Sequence, residues 1–191
     1  RYFLMREVPF GNDGDYSHEA MVKRMNGDLA NDIGNLAQRS LSMIFKNCGG
    51  VIPTPGEFSK EDRAMLDMAV DALNTARERF DEQAIHLGLA AIWDVVAEAN
   101  RYFAAQEPWA LKKTDPERMN TVLYATAEVI RRVAIMAQCV IPDGAGMLLD
   151  QLTVGGEARS FAALETALVS GTAIDKPQGA FPRYVEDEAK G

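Results

Sequence analysis

The stretch Ile85-His-Leu-Gly-Leu-Ala-Ala-Ile-Trp-Asp-Val-Val-Ala-Glu-Ala-Asn-Arg-Tyr-Phe103 reads as one continuous α-helix. Within it Ile85, Leu89, Ile92, Val96, Ala99 and Phe103 alternate intervals of four and three, the period that lines apolar side chains along one helical stripe. The helix must stop before Pro108, which lacks the N–H that would continue it. Working upstream, Ser59 is a good N-cap for a helix with the stripe Leu66, Val70, Leu73, Ala76 and Phe80. Downstream, Asp115-Pro-Glu117 supplies an N-cap, a proline at the first helical position and an acid in the first turn. The helix that follows carries Met119, Val122, Val129, Val133, Met136 and Val140 and ends at Pro142; Arg131 points away from this stripe.

Before these three helices, a further helical region opens near Ser17, with Gly27 a break or kink. Its second part places Leu29, Ile33, Leu36, Ile44 and Phe45 on the apolar side, with Ser40 filling the gap, and Gly49-Gly50 ends it. Pro53, Pro55 and Gly56 form the linker onward. Four strong helices with short links predict an all-α helical bundle. Residues 1–16 form a junction segment ahead of it, an apolar run closing in the turn-rich Phe10-Gly-Asn-Asp-Gly-Asp15. The bundle occupies residues 17–170 and includes short helical pieces at 147–152 and 161–168 after Asp143-Gly-Ala-Gly146. Residues 171–191 make a C-terminal tail in which only Ala180-Phe-Pro-Arg-Tyr-Val185 has the side chains to order against something.

Composition narrows the function. The 191 residues are 47% hydrophobic and 25% charged, an ordinary globular balance. A net charge of −8 argues against non-specific nucleic-acid binding, so any such contact must be local and shape-specific. The two cysteines, Cys48 and Cys139, are too few for a disulfide scaffold or a cysteine zinc site, which fits a reduced, cytoplasmic protein. No apolar run approaches membrane-spanning length, so no membrane partner is expected. Arg1 opens the chain without an initiator methionine and inside an apolar stretch, which predicts a piece of a longer polypeptide.

Three residues carry the chemistry. Asn35 and Arg39 lie one helical turn apart and project from one face, on a flank roughly opposite the apolar stripe. Trp109 follows the proline break and is expected in a loop. Amide, guanidinium and indole together suit the reading of unstacked bases: an aromatic ring stacks any base, while Asn and Arg test its edge. From pattern alone, Arg39 also reads as a solvated helix arginine, Asn35 as an exposed neutral position, and Trp109 as a core plug. Other candidates are plainer. Trp93 sits at the core edge, and His18 and His86 are isolated from any metal-ligand spacing. Met43, Met65, Met68, Met119 and Met136 fill core, and Lys112-Lys113 is either a phosphate contact or a solvated pair.

Four segments in order carry a resemblance. Arg1-Tyr-Phe-Leu-Met-Arg-Glu-Val-Pro-Phe-Gly-Asn-Asp-Gly-Asp-Tyr-Ser17 closely resembles a segment from the catalytic half of bacterial methionyl-tRNA synthetases. Asn26-Gly-Asp-Leu-Ala-Asn-Asp-Ile-Gly-Asn-Leu36 and Glu107-Pro-Trp-Ala-Leu-Lys112 resemble that family's anticodon-binding helix and tryptophan loop. Phe181-Pro-Arg-Tyr184 is similar to the Phe-Pro-Arg-Ile with which many members finish. The resemblance spans essentially the whole chain, with Tyr184 and Asp143-Gly-Ala-Gly146 as departures.

What it implies is the anticodon-binding bundle of a class I synthetase, with a short N-terminal remnant of the catalytic half. The parent enzyme would activate methionine with ATP and Mg²⁺ and esterify it to methionine tRNA. By position, Asn35 and Arg39 match the family's base-reading pair and Trp109 its anticodon-stacking tryptophan. The expected partners are the anticodon loop of methionine tRNA and the chain's own catalytic half, with no DNA partner. His-Ile-Gly-His, Lys-Met-Ser-Lys-Ser and the family's zinc knuckle do not occur in these residues. No catalytic residue, metal site or bound cofactor is therefore expected here, and the piece should not aminoacylate alone. Two other readings stay open: a non-catalytic helical protein-interaction module, and the helical domain of another class I synthetase.

Overall fold

The computed structural model describes residues 1–14 and 16–186; Asp15 and the acidic end of the tail, 187–191, lie outside them. The fold is the expected all-α bundle. Among the described residues no strand forms, and extended pairing is confined to an antiparallel bridge between Val51 and Ala173.

The helix of the opening quotation is α5, Ile85–Gln106, and its stripe is buried as the spacing requires: Leu89, Ile92, Val96, Ala99 and Phe103 are all in the core. Each such Leu or Ile side chain contributes about 1.5–3 kcal/mol on leaving water. Preceding it, α4 spans Lys60–Asp81 behind a capping box in which Ser59 and Asp62 satisfy each other's backbone amides. The buried face of α4 is Met65, Ala69, Ala72 and Ala76, not the larger side chains of the sequence reading; Val70 is 46% exposed. Small residues let α4 lie close against α5, so the large ones straddle the contact instead.

After α6 (Pro108–Thr114), α7 runs from Pro116 to Ala137 behind the Asp115 N-cap and threads the centre, touching α4, α5, α6 and two further helices described below. It ends at Ala137 rather than at Pro142. Because it is enclosed on nearly every side, Arg131 does not point away to solvent. It is buried against Glu128, which also accepts from Arg132 Nε at 2.6 Å and from the Leu168 amide at 3.0 Å. Arg131 and Arg132 in turn donate to the Ala163 and Leu66 carbonyls, so every charge in the cluster has a partner. Pro142 opens α8 (Pro142–Gln151), which takes Asp143-Gly-Ala-Gly146 into its first turns. A 3₁₀ turn, Phe161–Glu165, takes the place of the helical piece expected over 161–168, and another, Gly156–Arg159, precedes it.

At the N-terminal side, α1 (Tyr2–Glu7) packs on α5. Of the break or kink expected at Gly27, no break occurs: helix runs from His18 to Asn47 as α2 (His18–Arg24), a π-helical segment (Met25–Gly34) that contains Gly27, and α3 (Asn35–Asn47). Gly34 explains part of that winding, since a Cβ there would lie 2.7 Å from the Leu29 carbonyl oxygen. Carbonyls of the wide turns are met from α5, where Trp93 Nε1 donates to Asp28 O at 3.1 Å and Asn100 Nδ2 to Asp32 O at 3.4 Å. In α3 the buried stripe is Leu36, Ala37, Ser40, Leu41 and Ile44, while Phe45 is exposed.

The tail docks on this composite helix. Asn26 and Tyr184 exchange reciprocal bonds, amide Nδ2 to Tyr184 O at 2.9 Å and Tyr184 N to Asn26 Oδ1 at 2.8 Å. Phe181 seats against Gly34 and Gly144, where a Cβ on Gly144 would fall 2.1 Å from the ring. An apolar cavity of about 390 Å³ remains between Tyr2, Phe3, Met21, Leu29, Ile141 and Phe181.

Candidate functional site

Three elements meet where the sequence placed its chemistry. Asn35 and Arg39 both fall in regular α-helix, so they share a face of α3, and both are exposed. Trp109 is not in a loop. Glu107 adopts a left-handed conformation (φ 44°, ψ 54°) that ends α5, Pro108 starts α6 as its first residue, and Trp109 is the second. Proline at that position has no orphaned N–H, so the chain can restart a helix at once and hold the indole on a rigid element.

The structure brings Arg39 and Trp109 together. The Arg39 guanidinium lies 5.5 Å from the Trp109 ring centroid and 5.1 Å from that of Phe103, within cation–π range of both. The two rings are tilted by 57° at 6.0 Å. Phe103 is 1% exposed and Trp109 45%, so one ring is a fixed floor and the other an open wall. Asn35 stands one turn before Arg39, outside that stack. Lys112 and Lys113 are exposed in the last turn of α6. Phe103 had read only as core stripe; its second use, as the floor beneath Arg39, has no sequence signal beyond falling six residues before Trp109.

Behind this face lies a buried polar cluster. Asp62, in the first turn of α4, is wholly buried and receives both guanidinium ends of Arg118 and the Tyr102 hydroxyl at 2.6 Å. Arg118 Nη2 continues to Gln106 Oε1 at 2.7 Å. Burial alone would raise the Asp62 carboxyl, but the Arg118 guanidinium, the Tyr102 hydroxyl and the Ser59 amide outweigh it and hold the group at about 2. Burial, followed by the bond to Asp62, drives the Tyr102 phenol well above its ordinary range. No sequence pattern brings Arg118 or Gln106 to Asp62.

Trp93 is at the core edge against Tyr2, with ring centroids 4.6 Å apart. His18 lies edge-on to Tyr184. Burial pushes the Cys48 and Cys139 thiols up, away from nucleophilic use. Among the described residues no group of three His, Cys, Asp or Glu side chains is placed to hold a metal ion, and no helix is long and apolar enough to cross a membrane.

Comparison with known proteins gives the family. Residues 52–191 match the family described as the anticodon binding domain of methionyl tRNA ligase, and residues 1–41 match the class I tRNA synthetases of the methionine type. A methionine–tRNA ligase of Brucella suis biovar 1 (strain 1330) is 66% identical over 187 residues, 97% of this chain and 36% of that protein. One from Mycobacterium leprae (strain TN) is 51% identical over 195 residues, 100% of this chain and 36% of its own length. The apo crystal structure of Mycobacterium tuberculosis methionyl-tRNA synthetase superposes with a TM-score of 0.95 at 52% identity, over 97% of this chain and 38% of that one. The chain thus spans little more than a third of the proteins it matches. The open alternative of a generic protein-interaction module gives way to the family match. An all-α bundle with these motifs in register, matched over nearly its whole length, belongs to the methionyl-tRNA ligase family, as that family's anticodon-binding domain.

Proposed function

We propose that this chain reads the anticodon loop of methionine tRNA for a methionine–tRNA ligase, with Trp109 stacking a splayed base and Asn35 and Arg39 testing base edges. The observation that carries the reading is the open wall: a half-exposed indole held beside the Arg39 guanidinium, with an exposed amide one turn earlier on the same helix as that arginine. A stacked base is worth roughly 1–3 kcal/mol and accepts any base, so selection falls to the polar pair. An isolated Asn or Arg left facing the wrong edge would be desolvated without a partner, which penalises other anticodons.

On this reading the chain divides into residues 1–16, passing from the catalytic half, the bundle 17–170 and the tail 171–191. Methionine activation in the cytoplasm, with ATP and Mg²⁺, belongs to the rest of the ligase. No step of that chemistry is assigned to the residues here. In the complete ligase, Trp109→Ala should raise KM for tRNA while methionine-dependent ATP–pyrophosphate exchange stays unchanged. Equal loss of both activities, or neither, would sink the reading.

A further inference from the structure

The two halves of the recognition face sit on different elements, α3 and α6; α6 packs on α7 and joins α5 through one residue. That residue, Glu107, has a positive φ of 44°. A residue with a Cβ keeps such a conformation only where its surroundings determine it. On the far side of the turn, Pro108 is buried. On the near side, Gln106 is tied by its side-chain oxygen to Arg118, and Arg118 is locked on Asp62. The chain of contacts joins α4, α7 and the last residue of α5. None of its members belongs to the exposed face, and Asp62 is already satisfied by Arg118, Tyr102 and the Ser59 amide. The link to Gln106 therefore adds nothing to neutralising the carboxylate. It extends the cluster to the turn, using the planar fork by which one guanidinium serves two acceptors.

We propose that Asp62, Arg118 and Gln106 form a latch that positions Trp109: by fixing the end of α5 they fix the Glu107 turn and the angle of the indole beside Arg39. For its effect on RNA the latch rests on the anticodon reading above; for its effect on the indole it does not. Gln106 is a positioning residue that touches no base.

The test uses the two tryptophans of the chain, Trp93 and Trp109, labelled with 5-fluorotryptophan and observed by ¹⁹F NMR. Gln106→Leu is expected to shift or broaden the Trp109 resonance and leave that of buried Trp93 in place. It should also weaken binding of a methionine anticodon stem-loop about tenfold, as loss of one charge-assisted hydrogen bond would. Gln106→Glu, which keeps an acceptor for Arg118, should restore the resonance and bring affinity within about twofold of the parent. Arg118→Lys can hold Asp62 but cannot fork, and should reproduce the Gln106→Leu pattern. An unmoved Trp109 resonance in Gln106→Leu overturns the latch, as does movement of both resonances together or failure of Gln106→Glu to restore them. If Trp109→Ala leaves stem-loop affinity unchanged, the anticodon reading fails instead, and the resonances still decide the latch.

Discussion

At the scale of single residues, Arg39 shows how much depends on shape rather than charge. Its flat guanidinium rests on Phe103 and against Trp109, a placement an ammonium on a flexible stem does not reproduce. Arg39→Lys is expected to weaken stem-loop binding by on the order of 1 kcal/mol with the melting temperature nearly unchanged, readable by titration and thermal denaturation. Gly144 is the opposite case, a position where an added methyl has nowhere to go. Gly144→Ala would improve helix propensity, but its Cβ meets the Phe181 ring. Overpacking of this kind costs about 1–3 kcal/mol, which urea unfolding would register as a lower midpoint with the same m-value. Asp62 adds a pH signature. Its carboxyl is held at about 2, below the ordinary 3.8, so the unfolded chain binds the proton first as pH falls. The stability it supplies is complete above about pH 4 and is lost toward pH 2, an amount of about 2 kcal/mol. Comparing urea unfolding of the parent with Asp62→Asn at pH 6 and near pH 2.5 should show the difference between them shrink in acid.

At the scale of elements, the helices that were easiest to read are those bearing one clear stripe. α5 matched its four-three spacing, and the Ser59 and Asp115 caps began α4 and α7 where expected. What escaped has physical reasons. The burial of α4 is centred on alanines because helix approach favours small side chains, while hydrophobic periodicity is read from large ones. α7 is enclosed all round, so its ion cluster could not be told from a solvated face. The winding of Met25–Gly34 has no periodicity signature; Gly27 read as a break or kink, while Gly34 is the glycine the backbone needs. Of the site, the one-turn spacing of Asn35 and Arg39 was legible and the Trp109 approach was not, because it depends on a left-handed turn at a glutamate. The α7 cluster also makes a strong demand. Glu128→Gln would leave two arginines short of their shared carboxylate and should destabilise the fold by roughly 3–5 kcal/mol in denaturant titration.

At the scale of the whole molecule, a net charge of −8 opposes any approach of RNA except through a local cationic strip. Lys112 and Lys113 are exposed cations on the helix that carries Trp109, and two phosphate contacts from them would give a salt slope of about −1.4 in log–log form. Removing both lysines should flatten that slope by about 1.4 without changing which anticodon is preferred. The docking of the tail sets a different kind of schedule. Asn26 and Tyr184 are 158 residues apart, and at roughly 5–20 residues per second a ribosome needs about 10–30 s to supply the second after the first. For that interval the groove that Phe181 will close is bare, with the apolar walls of the Tyr2–Leu29 cavity facing the cell. A released chain truncated before residue 181 would therefore keep its helices yet expose that apolar groove, a species prone to aggregate.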